Sequence, residues 1–348
     1  MNNTLQIIRK KFFSSPLDAF LTLSISYLIY LTIPPLIDWM FIKATFFGDS
    51  KKDCVSGGAC WVFVKMWMNR FLYGMYPNEE IWRVNLPFAF LVISIFVYRF
   101  LNVKLQRYLF LFLIIPFPIL SLMLFSGGFL GLMPVDTREW GGLFLTLVIS
   151  IFAIIFCFPL GVLLAMGRRS KLPVIKYFSI GFIEFWRGVP LITVLFMAGV
   201  MFPLLLPSGT NMDKLVRVII AITLFEAAYM AEVVRGGLQA VGRGQYDAAS
   251  AMGMGYWKSH TLIILPQALK LVIPGIANTF IALFKDTPLV FVVGLLEILG
   301  MVNLAKTNPA WLGMATEGYV FVAIVYWVFC FAMSRYSLSI ERKLKTSN

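Results

Sequence analysis

Residues 241–270 read VGRGQYDAASAMGMGYWKSHTLIILPQALK, an interval of small and polar residues between two long apolar runs. Within it, 245–252 favours a helix of about two turns, because Ala is the strongest helix former and Gly253 supplies a C-terminal stop. Ala248, Ala249 and Met252 would give that helix a narrow apolar face outside the runs. Two isolated turns are not stable in water, so such a face needs a surface to cover it.

Outward from this interval the chain is mostly apolar. Of 348 residues, 59% are hydrophobic and 14% charged, with mean hydropathy +0.83, against about 45–50% and about 25% in a soluble domain. Too little polar surface remains to cover a water-soluble globule, which excludes a soluble enzyme, a disulfide scaffold or a disordered linker. Apolar runs fall at 17–42, 84–101, 109–126, 141–166, 176–206, 214–241, 266–300 and 310–334. At about 20 residues per span they predict an all-α integral membrane protein with about eight transmembrane helices.

The formal charge is +13. In a soluble chain this would point to nucleic acid, but in a multi-pass protein Lys and Arg gather on inner loops, so no nucleic-acid partner is expected. Arg9, Lys10 and Lys11, the group Arg99, Lys104 and Arg107, the group Arg168, Arg169, Lys171 and Lys176, then Arg235, Arg243 and Lys258, and finally Arg335, Arg342, Lys343 and Lys345 all fall on one side. The short loops opposite hold only Arg138, Lys214, Arg217 and Lys306, which predicts both termini inside. The apolar run after Arg9-Lys10-Lys11 is longer than a signal-peptide core and reads as a retained anchor.

A turn-rich stretch near 127–140 divides the chain into a three-helix extension, 1–130, and a five-helix core, 131–348, that contains the short inner helix at about 244–253. The extension has an outer loop at about 43–83, where Cys54 and Cys60 flank a flexible Ser-Gly-Gly and could close a disulfide or remain thiols. No metal site is expected there, because the single histidine, His260, lies on the other side. Cys157 and Cys330 sit within apolar runs and read as packing residues.

Asp247-Ala248-Ala249, three residues, Gly253, nine residues, Ile263, one residue, then Leu265-Pro266 resembles the cytoplasmic EAA loop of ABC importer permeases, with Asp247 where that family usually has Glu. The resemblance extends over about 140–345, where IEFWRGVPLITVLF, EAAYMAEVVRGGLQAV and NTFIALFKDTPLV look like the polar amino acid permease group. With its three leading spans, the chain looks like the M-type permease of the general L-amino acid transporter, which works as an unlike pair. Pro288 in place of Ser, and Gly242-Arg243 in place of Pro-Lys, are departures.

That resemblance implies a type I importer core paired with a second, similar permease. It makes Gln245, Asp247, Ala248, Ala249, Met252, Gly253, Ile263, Leu265 and Pro266 the residues that couple to an ABC ATPase dimer. ATP and magnesium would be bound by that ATPase, with no cofactor in this chain. A periplasmic binding protein would deliver an L-amino acid, and the location would be a bacterial inner membrane.

An α-amino acid is a zwitterion, so its path needs a cation or donors for the carboxylate and an anion for the ammonium. Charges within spans are costly enough to demand a partner or a role. Glu226 lies about 18 Å along its helix from Asp213, near mid-membrane. Lys285, Asp286 and Thr287 follow Pro274-Gly275, a sequence that kinks or breaks a helix. These four are candidates for the substrate path or for structure. Glu184 and Arg187 are also candidates, although their spacing of three would let them bridge one another, as Glu232 and Arg235 could.

No GxxxxGK[ST] phosphate loop occurs, and one histidine without a paired nucleophile makes a catalytic role unpromising. Two rivals remain at this level. One is a stand-alone ion-coupled secondary transporter, against which the EAA-like loop argues; the other is a membrane-embedded enzyme or scaffold built around the Cys54–Cys60 loop.

Overall fold

A computed structural model describes residues 11–129, 131–205, 207 and 212–345; Arg9 and Lys10 of the anchor lie outside the described residues. All regular structure among the described residues is helical, apart from isolated bridges.

One unit comprises the residues up to Met68 together with Ala305–Phe321. Its helix α1, Pro16–Ile37, starts at Ser15, whose hydroxyl accepts the Asp18 amide at 3.1 Å. No residue of α1 is buried, so an apolar helix of 22 residues has lipid-like surroundings as its only favourable solvent. The loop beyond it joins Cys54 to Cys60 in a disulfide, with Cα atoms 5.5 Å apart. The Cys60 amide donates to Glu317 Oε1 at 3.0 Å, and Lys51 Nζ donates to the Leu312 carbonyl at 2.6 Å. Helix α2, Trp61–Tyr73, begins here, and its Phe63 is fully buried.

The second unit comprises Asn69–Leu304 and Val322 onward. It holds α3 (Trp82–Tyr98), α4 (Val103–Ile114), α5 (Pro116–Ser126), α6 (Gly142–Arg168), α7 (Pro173–Gly188), α8 (Leu191–Phe196) and α9 (Lys214–Ala240). After α9 come α10 (Arg243–Ala251), α11 (Tyr256–Ser259), α12 (Leu265–Leu271), α13 (Ile273–Asp286) and α14 (Ile298–Ala305). Most of the last helix, α15 (Ala315–Lys345), completes it. Helices α6 and α9 form its centre and touch along their length. Gly161 permits that approach: a Cβ there would lie 2.6 Å from Met230 Cγ and 3.1 Å from the Ala227 carbonyl.

Among the described residues, five helical segments are long and apolar enough to cross a membrane: Pro16–Ile42, Asn78–Tyr98, Gly142–Arg168, Ile273–Val293 and Ala315–Leu344. Two bent pairs, Val103–Ile114 with Pro116–Ser126 (41°) and Pro173–Gly188 with Leu191–Leu205 (100°), raise the number to seven. The remaining expected span corresponds to α9, whose 27 residues give about 40 Å of length. It is less apolar than the others because it carries Lys214, Arg217, Glu226, Glu232 and Arg235, which a helix surrounded by protein can accommodate. Arg217, read from the sequence as an outer-loop charge, instead lies in the first turn of α9. It is 9% exposed, and its Nη1 donates to the Ala198 and Gly199 carbonyls at 2.9 and 3.1 Å.

Candidate coupling and transport site

The interval after α9 folds as its composition dictates. Helix α10 ends in paired turn bonds, Gly253 N–H to Ser250 O at 3.0 Å and Met254 N–H to Ala249 O at 3.1 Å, with Gly253 at φ +69°. This closure satisfies the last carbonyls and requires the left-handed backbone that Gly adopts without strain.

Its side chains divide differently from the expected apolar face. Ala249 is 1% exposed and faces the chain's own interior with Tyr246, one turn earlier, whereas Met252 is 77% exposed and Ala248 points outward with Gln245 and Asp247. Residues three apart share a face, and the ring of Tyr246 takes Ala249 with it to the inside. Ile263 and Leu265 pack partly against the core, and Pro266 is exposed in the first turn of α12. Gln267 Nε2 donates to Gln245 Oε1 at 3.1 Å, which ties α12 to α10.

Tyr246 donates its hydroxyl to the Leu238 carbonyl at 2.8 Å and accepts from Arg169 Nη1 at 3.2 Å. The Arg169 guanidinium also sits 5.4 Å from the centre of its ring. His260 meets the ring edge-on at 6.0 Å and donates from Nδ1 to the Tyr256 carbonyl at 2.9 Å. Burial holds the Tyr256 phenol above its ordinary range, which keeps it a neutral donor to the Met166 carbonyl at 3.5 Å.

Beside this lies an ion cluster. Arg168 Nη1 contacts Glu232 Oε1 at 2.7 Å and Glu184 Oε1 at 2.9 Å, and Glu232 also binds Arg235 at 2.8 Å. Glu184 therefore bridges to Arg168 rather than to Arg187, whose guanidinium instead lies over the Tyr229 ring at 5.6 Å. The i,i+3 spacing permits a Glu184–Arg187 pair, but Arg168 at the end of α6 reaches both acids at once.

The remaining candidates lie farther along. Glu226 is 3% exposed within α9. Lys285 is exposed at the end of α13, with Asp286 half-buried beside it. Thr287 is fully buried; it donates to the Phe284 carbonyl at 2.8 Å and shares a 2.8 Å hydrogen bond with Tyr326. Tyr326 leads to Glu297, a residue that sequence reasoning passed over. Glu297 is fully buried and accepts from Leu299 N–H (2.9 Å), Gly300 N–H (2.7 Å) and Tyr326 OH (3.2 Å), thereby capping α14. A lone acid in the apolar stretch VVGLLEILGMV was the available signal. Tyr246 had no such signal, because nothing local distinguishes it from other interfacial tyrosines.

Comparison with known proteins identifies the family. Residues 157–346 match the family described as the binding-protein-dependent transport system inner membrane component. The chain is 50% identical, over 97% of its length and 92% of the relative's, to the inner membrane amino-acid ABC transporter permease protein YhdY of Escherichia coli (strain K12). It is 38% identical, over 97% of its length and 93% of the relative's, to the glutamate/glutamine/aspartate/asparagine transport system permease protein BztC of Rhodobacter capsulatus. A solved structure described as an amino acid ABC transporter with histidines superposes on 58% of this chain and 92% of its own, with TM-score 0.51 and 27% identity. A multi-pass helical chain with a short helix between its spans is thus accounted for: it belongs to the binding-protein-dependent transport system inner membrane component family, as the permease subunit of an ABC importer.

Proposed function

We propose that this permease carries L-amino acids across a bacterial inner membrane, with both termini cytoplasmic, as one of an unlike pair of permeases served by an ABC ATPase dimer and a periplasmic binding protein. ATP and magnesium act in the ATPase chain, and α10 is the coupling helix. The observation that carries this reading is the 50% identity to an amino-acid ABC permease over 97% of the chain, because it includes the leading spans as well as the core. A stand-alone ion-coupled transporter is not favoured, since the relatives are ABC permeases.

The substrate path runs past Glu226, Lys285 and Asp286. Along α13, Pro274, Asn278, Ala282 and Lys285 are exposed, spaced four, four and three residues apart on one face of a segment apolar enough to span. A lysine facing lipid at the centre of a span costs about 2.5–3.5 kcal/mol, so this face favours a second permease and the watery path between the two. There Lys285 can meet a carboxylate, while Asp286 and Glu226 supply negative charge for an ammonium.

The test is mild-detergent purification of the tagged chain from its native membrane, mass spectrometry of what accompanies it, and uptake of labelled amino acids by the reconstituted complex. Recovery of an ATPase and a second permease, with ATP-dependent uptake, supports the reading. A folded chain recovered alone and transporting in an ion gradient overturns it.

A further inference from the structure

Helix α10 has only nine residues, and glycines bracket it: Gly242 and Gly244 at one end, Gly253 and Gly255 at the other. A Cβ added at any of the four would meet nothing within 4 Å, so these glycines are not braced against neighbouring elements. The turn bonds at Gly253 and Met254 close α10 on itself rather than onto the spans, so its grip on the spans comes from the side chains that leave it.

Two side chains of α10 face inward, Ala249 and Tyr246. Ala249 offers only a methyl group, and the Gln245 bond to Gln267 leads to α12. Tyr246 engages three other elements at once. Its hydroxyl holds the Leu238 carbonyl in the last turn of α9, its ring and hydroxyl hold Arg169 just beyond α6, and its edge meets His260. Leu238 is among the carbonyls at a helix end that lack an intrahelical partner, so this bond grips α9 where its backbone is available.

We infer that Tyr246 is the joint that converts displacement of the coupling helix into movement of α6 and α9, acting as a positioning residue for transport; this rests on the coupling role proposed above for α10. A shared free energy between two sites requires a physical element that both bias, and Tyr246 is where the short helix and the two central spans meet.

The test uses the whole transporter, purified through this chain and reconstituted, with Y246F and Y246A beside the unaltered protein. Three quantities are read: ATPase recovered per permease, ATP hydrolysis, and uptake of a radiolabelled L-amino acid mixture. The joint predicts normal ATPase recovery in both variants. ATP consumed per amino acid imported should rise by about tenfold in Y246A, and by less in Y246F, which keeps the ring and loses the hydroxyl. A merely structural tyrosine would lower assembly, hydrolysis and uptake together and leave that ratio unmoved. An unchanged ratio in both variants, or loss of the ATPase from Y246A with an unchanged ratio in Y246F, overturns the inference. Failure to recover an ATPase with the unaltered chain instead sinks the coupling reading on which it rests.

Discussion

Arg168 and Glu232, 64 residues apart, meet at 2.7 Å and join the end of α6 to the last third of α9. Their side chains are only 24% and 17% exposed, so the contact is partly withdrawn from water and less screened than a surface pair.

Replacing Arg168 with Gln leaves Glu232 with Arg235 alone and frees Glu184. The expected cost is about 1–3 kcal/mol, because charge-assisted bonds are lost and a half-buried carboxylate keeps fewer partners. E184Q should cost less, since that carboxylate is 56% exposed. Thermal unfolding of the purified chain in detergent gives the ranking, and equal midpoints for R168Q and E184Q would refute it.

At Gly253 the backbone conformation, not space, sets the tolerance, because a Cβ there meets nothing within 4 Å while φ is +69°. G253A should weaken the end of α10 by about 1 kcal/mol, G253N by less and G253V by more. Hydrogen exchange of the Gly253 and Met254 amides should report that order.

Ala249 and Met252 should respond differently to the same change. A249D puts a charge against the chain's own interior and should expose the loop to limited proteolysis; M252D leaves packing intact and should instead reduce recovery of the ATPase. If M252D keeps full recovery and transport, the outer face of α10 is not the docking surface.

Glu297 should matter more than its place in an apolar run suggests. E297A removes the acceptor for two backbone amides and for the Tyr326 hydroxyl and should cost about 1–2 kcal/mol, whereas Y326F loses the 3.2 Å bond to Glu297 and the 2.8 Å bond with Thr287 but leaves the cap of α14 in place and should cost less. Chemical denaturation monitored by tryptophan fluorescence would separate the two.

Just before the disulfide, amides of Asp49 and Ser50 donate to the Asp53 carboxylate at 3.0 and 2.9 Å and hold its pKa below the ordinary carboxylate range. Because the folded value is the depressed one, the stabilisation is complete above the unfolded pKa and is lost as pH falls through the folded one. Protection of the Asp49 and Ser50 amides should therefore decline only in acid, and D53N should abolish that pH dependence.

The spans are legible because apolar runs of about 20 residues have few alternatives to crossing a bilayer. The helix at 243–251 is legible because Ala content and a glycine stop act locally. Partners across the fold are less so. Glu184 has Arg187 within one turn, yet it binds Arg168, whose position depends on how α7 turns back from α6. Arg217 beside Lys214 looks like a loop charge until the π-helical turn that follows α8, Met197–Met201, presents it with the carbonyls of Ala198 and Gly199. Glu297 caps α14 through amides two and three residues on, but its third partner, Tyr326, lies 29 residues later, and no local pattern announces that pairing.

If the second permease proposed above covers the exposed face of α13, that face also bears on biogenesis. A copy synthesised in excess of that partner would leave Asn278 and Lys285 facing acyl chains, an unfavourable state that association relieves. Under that pairing the chain carries its own penalty for solitude: its lifetime in the bilayer should track the supply of the proposed partner, and balanced production of the pair becomes a physical demand of one helix face.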